Sequence, residues 1–522
     1  MTDASDGPGS APAAAPLAVP QPAQVLAKGH LHPAILLLHL VATVRQTVVW
    51  LLLGLIVERW LLVVAIGLFL TNLAYALARY LTLEYTLTSE ELRIREGILE
   101  RQERRIPLDR IQDLGFESTI LRRVLGLVVV LVETASGRGV EARLDALSRA
   151  DADHLREVLL AARLATTTSE REPARAAPAT GAATAPTPPA PEWLVHRTTA
   201  AELLLRGMTD LRLSAFVVTG FAALQLADQF GFAVRLRGIA GTFEHWLGQF
   251  PPLWIAGILV AILLAVMAFG VVTATLGNFV QFHGFVLQLR GDVLLRRYGL
   301  LTTRQKTLPR ARIQRVTIEQ PWLRRLLGLA VVKADSAGGS RAQGEDNAGG
   351  WDVVVPLTRL PVADALLPAL LPGIEHATFG WQRGSPRLVL RTALQGVLLA
   401  GLGTPALWPW AGPAALLALL LVPLWALLGV LVWRNLGFAL GGEFFALRHG
   451  VVGRYFAYVP TAKVQAVVVQ QGPIAQLLGL AELTVYVAGG SPTRLPDLML
   501  GDARRISAEI GARAAAAAAR DW

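Results

Sequence analysis

Apolar and polar positions alternate along this chain on two length scales. On the longer one, apolar stretches arrive in pairs: 33–57 with 60–78, split by Glu58 and Arg59, and 388–407 with 413–433, split by WPWAG. About 20 apolar residues match the hydrocarbon thickness of a bilayer. A connection of a few residues makes the two helices antiparallel neighbours, so each pair predicts a transmembrane hairpin. Between them, 252–280 is long enough to span while 213–227 is short, with DQFGFAVRLRGIAGTFEHWLGQF lying between the two. The pattern predicts six spans, with a re-entrant or interfacial segment as the alternative for the third.

On the shorter scale each hairpin is followed by period-two segments that predict half-buried strands. The polar parts share a 32-residue pattern written three times: EGILERQERRIPLDRIQDLGFESTILRRVLGL, YGLLTTRQKTLPRARIQRVTIEQPWLRRLLGL and HGVVGRYFAYVPTAKVQAVVVQQGPIAQLLGL, from Glu96, Tyr298 and His449. Gly97, Pro107, Gln112 and Gly126 recur at constant spacing as Gly299, Pro309, Gln314 and Gly328, then as Gly450, Pro460, Gln465 and Gly479. Such repetition marks duplicated structure. The first glycine follows a short strand, where a tight turn needs positive φ. The proline opens a brief turn, and the last glycine ends one or two helical turns. The glutamine is expected to brace its strand to the preceding turn, because a buried amide must be hydrogen-bonded. Each unit closes with strands and, as in SRADADHLREVLLAARL, an amphipathic helix.

The order strand, glycine turn, IPLDRIQ, LRRVLGL, strand, strand, helix resembles the bacterial pleckstrin-homology (PH) domain of the YdbT-like membrane proteins. The resemblance covers roughly 82–165, 284–372 and 438–515 plus the hairpins. It implies an α+β membrane protein in which transmembrane helix hairpins alternate with small PH-like β-sheet or barrel domains, each closed by a C-terminal helix. The third copy departs from the pattern where LDR becomes TAK and LRR becomes AQL. The second carries an insertion, SAGGSRAQGEDNAGG.

The predicted organisation is a disordered Ala/Pro tail over 1–30, hairpins at 33–80, 211–280 and 388–434, and PH-like domains at 82–165, 284–372 and 438–515. A Pro/Ala/Thr linker fills 166–195. The chain of 522 residues is 53% hydrophobic and 17% charged, as a mixed membrane protein should be, and it contains no cysteine, which excludes disulfides, thiolate metal sites and a cysteine nucleophile. Lys28, Arg79, Arg197, Arg206, Arg212, Arg383, Arg387, Arg391 and Arg434 lie on the repeat-bearing side of the spans, against Arg59, Arg235 and Arg237 at the tips. The positive-inside rule then places both termini and all three domains in the cytoplasm of a multi-pass bacterial inner-membrane protein.

Charge separates the copies. The formal net charge of +10 is concentrated in the middle one, where 282–375 carries 13 basic and 8 acidic residues. Arg304, Lys306, Arg310, Arg312, Arg315, Arg324 and Arg325 cluster there, with Arg110 and Lys463 as the counterparts of Arg312. Guanidinium groups suit phosphate, so the set is a candidate for anionic lipid headgroups; positive-inside charge with no ligand is the alternative. Arg45, inside the first span, and Asn72 are the intramembrane polar residues, read as a partner or pathway site or as a snorkelling or interhelical pair. The histidines His30, His32 and His39 lack companions for a metal site, AGGSRAQGEDNAGG lacks the context of a phosphate loop, and no catalytic constellation is present. The expectation is a non-enzyme without cofactor: a scaffold or interaction module at the membrane surface, serving envelope maintenance or stress resistance. Its partners would be the bilayer and a membrane protein or a second copy, with no nucleic acid. The alternatives are headgroup recognition by the second domain, or transport or lipid handling through the hairpins.

Overall fold

The computed structural model describes residues 25–520 apart from 31, 57–58, 89, 98–100, 135–139, 156, 158–191, 211–250, 338–350 and 376–378. The chain forms two compact units, residues 1–110 with 150–177, and residues 111–149 with 178–522. The expected span 213–227 and most of the linker lie outside the described residues.

The first unit holds helices α1 (Ile35–Ile56) and α2 (Trp60–Thr82), which pack along each other, and an antiparallel sheet. Its strands are β1 (Val25–His30), β2 (Glu84–Thr88), β3 (Glu91–Glu96) and β4 (Gln102–Pro107), in that order. Strand β1 corrects the expected tail. Its residues look like unpartnered chain in sequence, yet Lys28 pairs with Thr86 and His30 with Glu84 on the far side of both helices. Leu83, Leu87 and Leu92 are fully buried beneath this sheet.

In the second unit the strands do not sort by repeat. Strands β5 (Ile111–Thr119), β6 (Leu127–Thr134) and β7 (Val140–Ser148) belong to the first copy of the pattern. They join β8 (Glu192–Arg197), β9 (Val286–Arg290), β10 (Val293–Tyr298) and β11 (Thr302–Pro309) in one sheet of order β7-β6-β5-β11-β10-β9-β8. The second copy continues as β12 (Ile313–Gln320), β13 (Leu329–Ser336) and β14 (Trp351–Arg359), which join β15 (Gly437–Gly441), β16 (Phe444–His449) and β17 (Arg454–Pro460) in the order β14-β13-β12-β17-β16-β15. The third copy ends in a sheet of three: β18 (Val464–Gln470), β19 (Leu480–Val487) and β20 (Thr493–Met499). The first and second repeats thus each give their second half to a sheet begun by the next.

The described α-helices of this unit are α3 (Ile120–Val124), α4 (Ala200–Met208), α5 (Pro252–Phe282), α6 (Trp322–Leu326), α7 (Leu360–Leu370), α8 (Arg387–Ala411), α9 (Leu421–Asn435), α10 (Pro473–Leu478) and α11 (Leu500–Arg520). Helix α8 runs through the expected WPWAG tip, and the chain turns back at Gly412, φ 51°. Among the described residues three helical segments are long and apolar enough to cross a membrane: Leu62–Thr82, Leu264–Phe282 and Arg387–Asn435. The apolar part of α1 described, Ile35–Val48, is shorter.

The recurring positions have a backbone explanation. Gly97, Gly299 and Gly450 all adopt φ between 104° and 111°, and a Cβ on Gly299 would collide with the Thr302 carbonyl oxygen. Pro107, Pro309 and Pro460 end β4, β11 and β17, each leading into a three-residue 3-10 turn. The strand register skips one residue in each copy, at Gln112, Gln314 and Gln465. The glutamine is therefore a bulge residue, which resets the inside-outside alternation expected from a simple period of two. Gln314 is buried and donates from Nε2 to the Arg312 carbonyl at 3.3 Å; Gln465 is exposed instead.

Sheet β15-β16-β17 is covered on both faces. Phe444, Ala446 and Tyr458 belong to the core of the second repeat, with Val316, Ile318 and Leu367. Phe445, Leu447 and Val459 belong to the next core, with Leu483, Ile506 and Ile510 of α11. Burial on both faces removes the polar half of the alternation, which accounts for the run FFAL in β16.

Candidate functional site

Among the described residues, several of the middle repeat's basic side chains are engaged by the protein itself. Arg304 faces Glu117 at 3.2 Å, and Arg310 pairs with Asp292 at 2.7 Å. Arg312 ends its 3-10 turn, and Lys306 lies in β11 opposite Arg296. Arg315 is 3% exposed and its partner Asp335 0%; Nε donates to Oδ2 at 2.9 Å, and Nη1 donates to Thr493 Oγ1 of the third repeat at 2.8 Å. Burial pulls the Arg315 guanidinium below its ordinary range while Asp335 acts in the opposite sense. Arg324 is also buried, donating from Nε to Thr209 Oγ1 at 3.0 Å and from Nη2 to the Arg206 carbonyl at 3.2 Å. Arg325 donates to the Val451 carbonyl at 2.7 Å. Arg315 and Arg324 are therefore turned into the protein and leave the headgroup set.

What these side chains do is join repeats. Strands β5 and β11 pair with Glu117 opposite Arg304; β12 and β17 pair with Glu319 opposite Tyr455. Arg304 and Tyr455 are equivalent positions of the pattern, as are Glu117 and Glu319, so both seams share one register. Beside the first, Ile120 N–H donates to the Leu301 carbonyl at 2.9 Å and Arg123 donates to Thr303 Oγ1. Beside the second, Arg325, the counterpart of Arg123, holds the equivalent loop of the third repeat. At the equivalent places of the third copy the two arginines are Ala475 and Gln476.

Arg324 couples a domain to its apolar helices. It sits at the C-terminal end of α4, where a cation meets the unpaired carbonyls and the negative end of the helix dipole. In that helix Arg206 donates to Asn278 Oδ1 of α5 at 2.8 Å and to the Pro356 carbonyl of β14 at 2.8 Å, and stacks 4.0 Å over the Phe282 ring. Gly207 lets α4 lie directly against Thr275, where any Cβ would collide. Helix α4 was missed in sequence, although Thr199 and Glu202 form a reciprocal capping box that marks its start.

The same end of α5 carries exposed apolar side chains. Gly299 N–H donates to the His283 carbonyl and Leu300 N–H to the Val280 carbonyl, so the glycine turn hangs on the last turn of α5. Leu301 in this turn and Val124 beside it are 51% and 78% exposed, and Trp322 and Leu326, beside the equivalent turn of the third repeat, are 52% and 78% exposed.

A cleft lies at the start of α8, lined by Gln382, Arg383, Arg387, Asp502 and Arg505 among others. Gln382 bridges to Phe438, the counterpart in the third repeat of β1 and β8. Arg387 donates to the Leu478 carbonyl at 2.9 Å, and Arg383 stacks 5.5 Å from the Trp433 ring.

Arg45 is an exposed residue of α1, and Asn72 donates to the Leu68 carbonyl of its own helix at 2.9 Å. Among the described residues no group of histidine and carboxylate side chains is placed to hold a metal ion.

Comparison with known proteins agrees with this architecture. The family model described as Bacterial PH domain matches residues 35–163, 236–373 and 389–514. The transmembrane protein YdbT of Bacillus subtilis (strain 168) is 24% identical over 449 residues, covering 83% of this chain and 87% of that protein. No solved structure matches significantly. The chain is a membrane protein of mixed helix and sheet that belongs to the Bacterial PH domain family, whose pattern it carries three times.

Proposed function

We propose that this protein is a non-enzymatic scaffold of the bacterial cell membrane, anchored by helix hairpins, with its PH-like domains joined into a platform on the cytoplasmic surface. The pairing of β5 with β11 and of β12 with β17 in one register carries this reading. Repeats fused edge to edge within the second unit form one body there rather than independently tethered modules. The exposed apolar side chains beside the glycine turns support a platform lying on the bilayer, since such side chains are stabilised at the headgroup boundary. The positive-inside distribution supports the cytoplasmic side.

A second reading is anionic headgroup recognition. The cleft favours it, because Arg383, Arg387 and Arg505 line an opening at the start of an apolar helix, where phosphate groups of a leaflet lie. One experiment separates the two: purification in mild detergent, with proteins and lipids analysed from the same sample, for the wild type, Arg325→Ala and Arg383→Ala/Arg505→Ala. A scaffold retains a stoichiometric protein partner that Arg325→Ala releases. A headgroup reader retains anionic lipid that the cleft variant releases. Retention of neither by the wild type sinks both.

A further inference from the structure

Among the described residues the repeats leave the edges of β4 and β18 unmatched. In the second unit, every strand at the position of β5 in the pattern is met by a strand at the position of β11, as long as a following repeat exists. Strand β18 occupies the β5 position in the last repeat, and β4 occupies the β11 position in the first. Among the described residues β18 pairs only with β19 and β4 only with β3.

The two edges differ in a way that fits them to each other. Strand β18 reads VQAVVVQ, without a charge or a proline. Natural sheets rarely leave such an edge unguarded, because its free N–H and C=O groups template pairing with another chain. Strand β4 reads QERRIP. Two β4 strands paired antiparallel would set arginines against arginines, so its charge disfavours pairing with itself. Charge does not block the β4 position in general, because β11, which reads TTRQKTLP, pairs with β5.

We infer that β18 of one molecule accepts β4 of a second copy, adding a third seam between molecules in the register of the two seams within one. Carrying that register over places Gln470 opposite Gln102, Val469 opposite Glu103 and Val468 opposite Arg104. Gln476, at the place of Arg123 and Arg325, keeps an N–H donor beside this seam. Such a contact uses different surfaces on the two partners, so it propagates head to tail and closes into a ring or continues as a filament. It rests on the strand edges alone and stands whether or not the scaffold has another partner.

The absence of cysteine makes the register directly testable. Two full-length chains with different tags, one Gln102→Cys and the other Gln470→Cys, are co-expressed and oxidised in native membranes. Glu117→Cys/Arg304→Cys within one chain is the positive control, because those side chains meet across the first seam. The expected result is a disulfide between the two tags, at least tenfold more abundant than with Val469→Cys in place of Gln470→Cys. The double variant in a single chain should give a ladder at multiples of 56.1 kDa. Absence of the mixed disulfide while the control pair forms overturns the inference. So does a Gln470→Cys chain that links only to itself, or a double variant that closes only within its own chain.

Discussion

Asp335→Ala tests how the second and third repeats are locked together. The substitution strands the Arg315 guanidinium, 3% exposed, in a seam that Thr493 helps to close. At about 3 Å and an effective dielectric of about 20, the attraction within the pair is about 6 kcal/mol. Desolvating each ion costs several kcal/mol and offsets most of it, so the intact pair sits near balance. Removing one partner keeps the cost and loses the attraction, a destabilisation of about 3–5 kcal/mol. For a cooperative unit of this size roughly 2–4 °C is lost per kcal/mol, which puts the expected drop in Tm at about 10 °C. The assay is tryptophan-monitored melting of the full chain in mild detergent, for the wild type, Asp335→Ala, Arg315→Met and Arg315→Met/Asp335→Leu. Either single variant should melt early, and the apolar double variant should recover most of the loss. An Asp335→Ala protein within about 2 °C of the wild type would refute the reasoning. So would a double variant that loses the sum of the two singles.

Arg325→Ala should remove one charge-assisted hydrogen bond, worth about 1.5–3 kcal/mol; hydrogen exchange should rise at 450–453 and stay unchanged in β2 and β3. Gly207→Leu should push α4 off Thr275 and draw Arg206 away from Asn278. It should lower Tm by several degrees where Gly257→Leu, whose added Cβ meets nothing, is neutral. Burial holds the His196 imidazole below its ordinary range, against a smaller opposing pull from Glu202. The unfolded chain therefore takes up this proton first, and stability is lost as pH falls from about 6.5 through the folded value. His196→Gln should flatten the slope of Tm between pH 7 and 5; an unchanged slope would remove His196 as its source.

What could be read in the sequence was local. The turn at Gly299, the proline that ends β11 and the helix end at Gly328 each follow from a dihedral that few residues adopt. The amide of Gln314 was expected to reach the preceding turn, and it does; the bulge beneath it was not legible, because a one-residue register skip leaves no mark in composition. Strands β1 and β8 were missed for a different reason. The partner of β1 lies beyond α1 and α2 and that of β8 beyond α5, and six residues such as VLAKGH carry no strand signal without them. The basic cluster was visible as charge, but burial is a property of the partner: Arg315 reads like Arg310 until Asp335 and Thr493 are placed around it. The clue that was present is the loss of both arginines at Ala475 and Gln476, beside a strand, β18, that among the described residues pairs only with β19.

The handing of strands from one repeat to the next also orders events at the ribosome. The edge of β12 is complete at Gln320, yet its partner β17 begins at Arg454, roughly 130 residues and two apolar helices later. At about 5–20 residues per second this edge waits roughly 7–27 s. During that interval Val316 and Ile318 lie on a strand with one side unpaired, the condition under which nascent β-sheet is drawn into wrong partners. Translation speed across α8 and α9 therefore bears on the yield of folded protein, and a chain released before Arg454 leaves that edge open to aggregation.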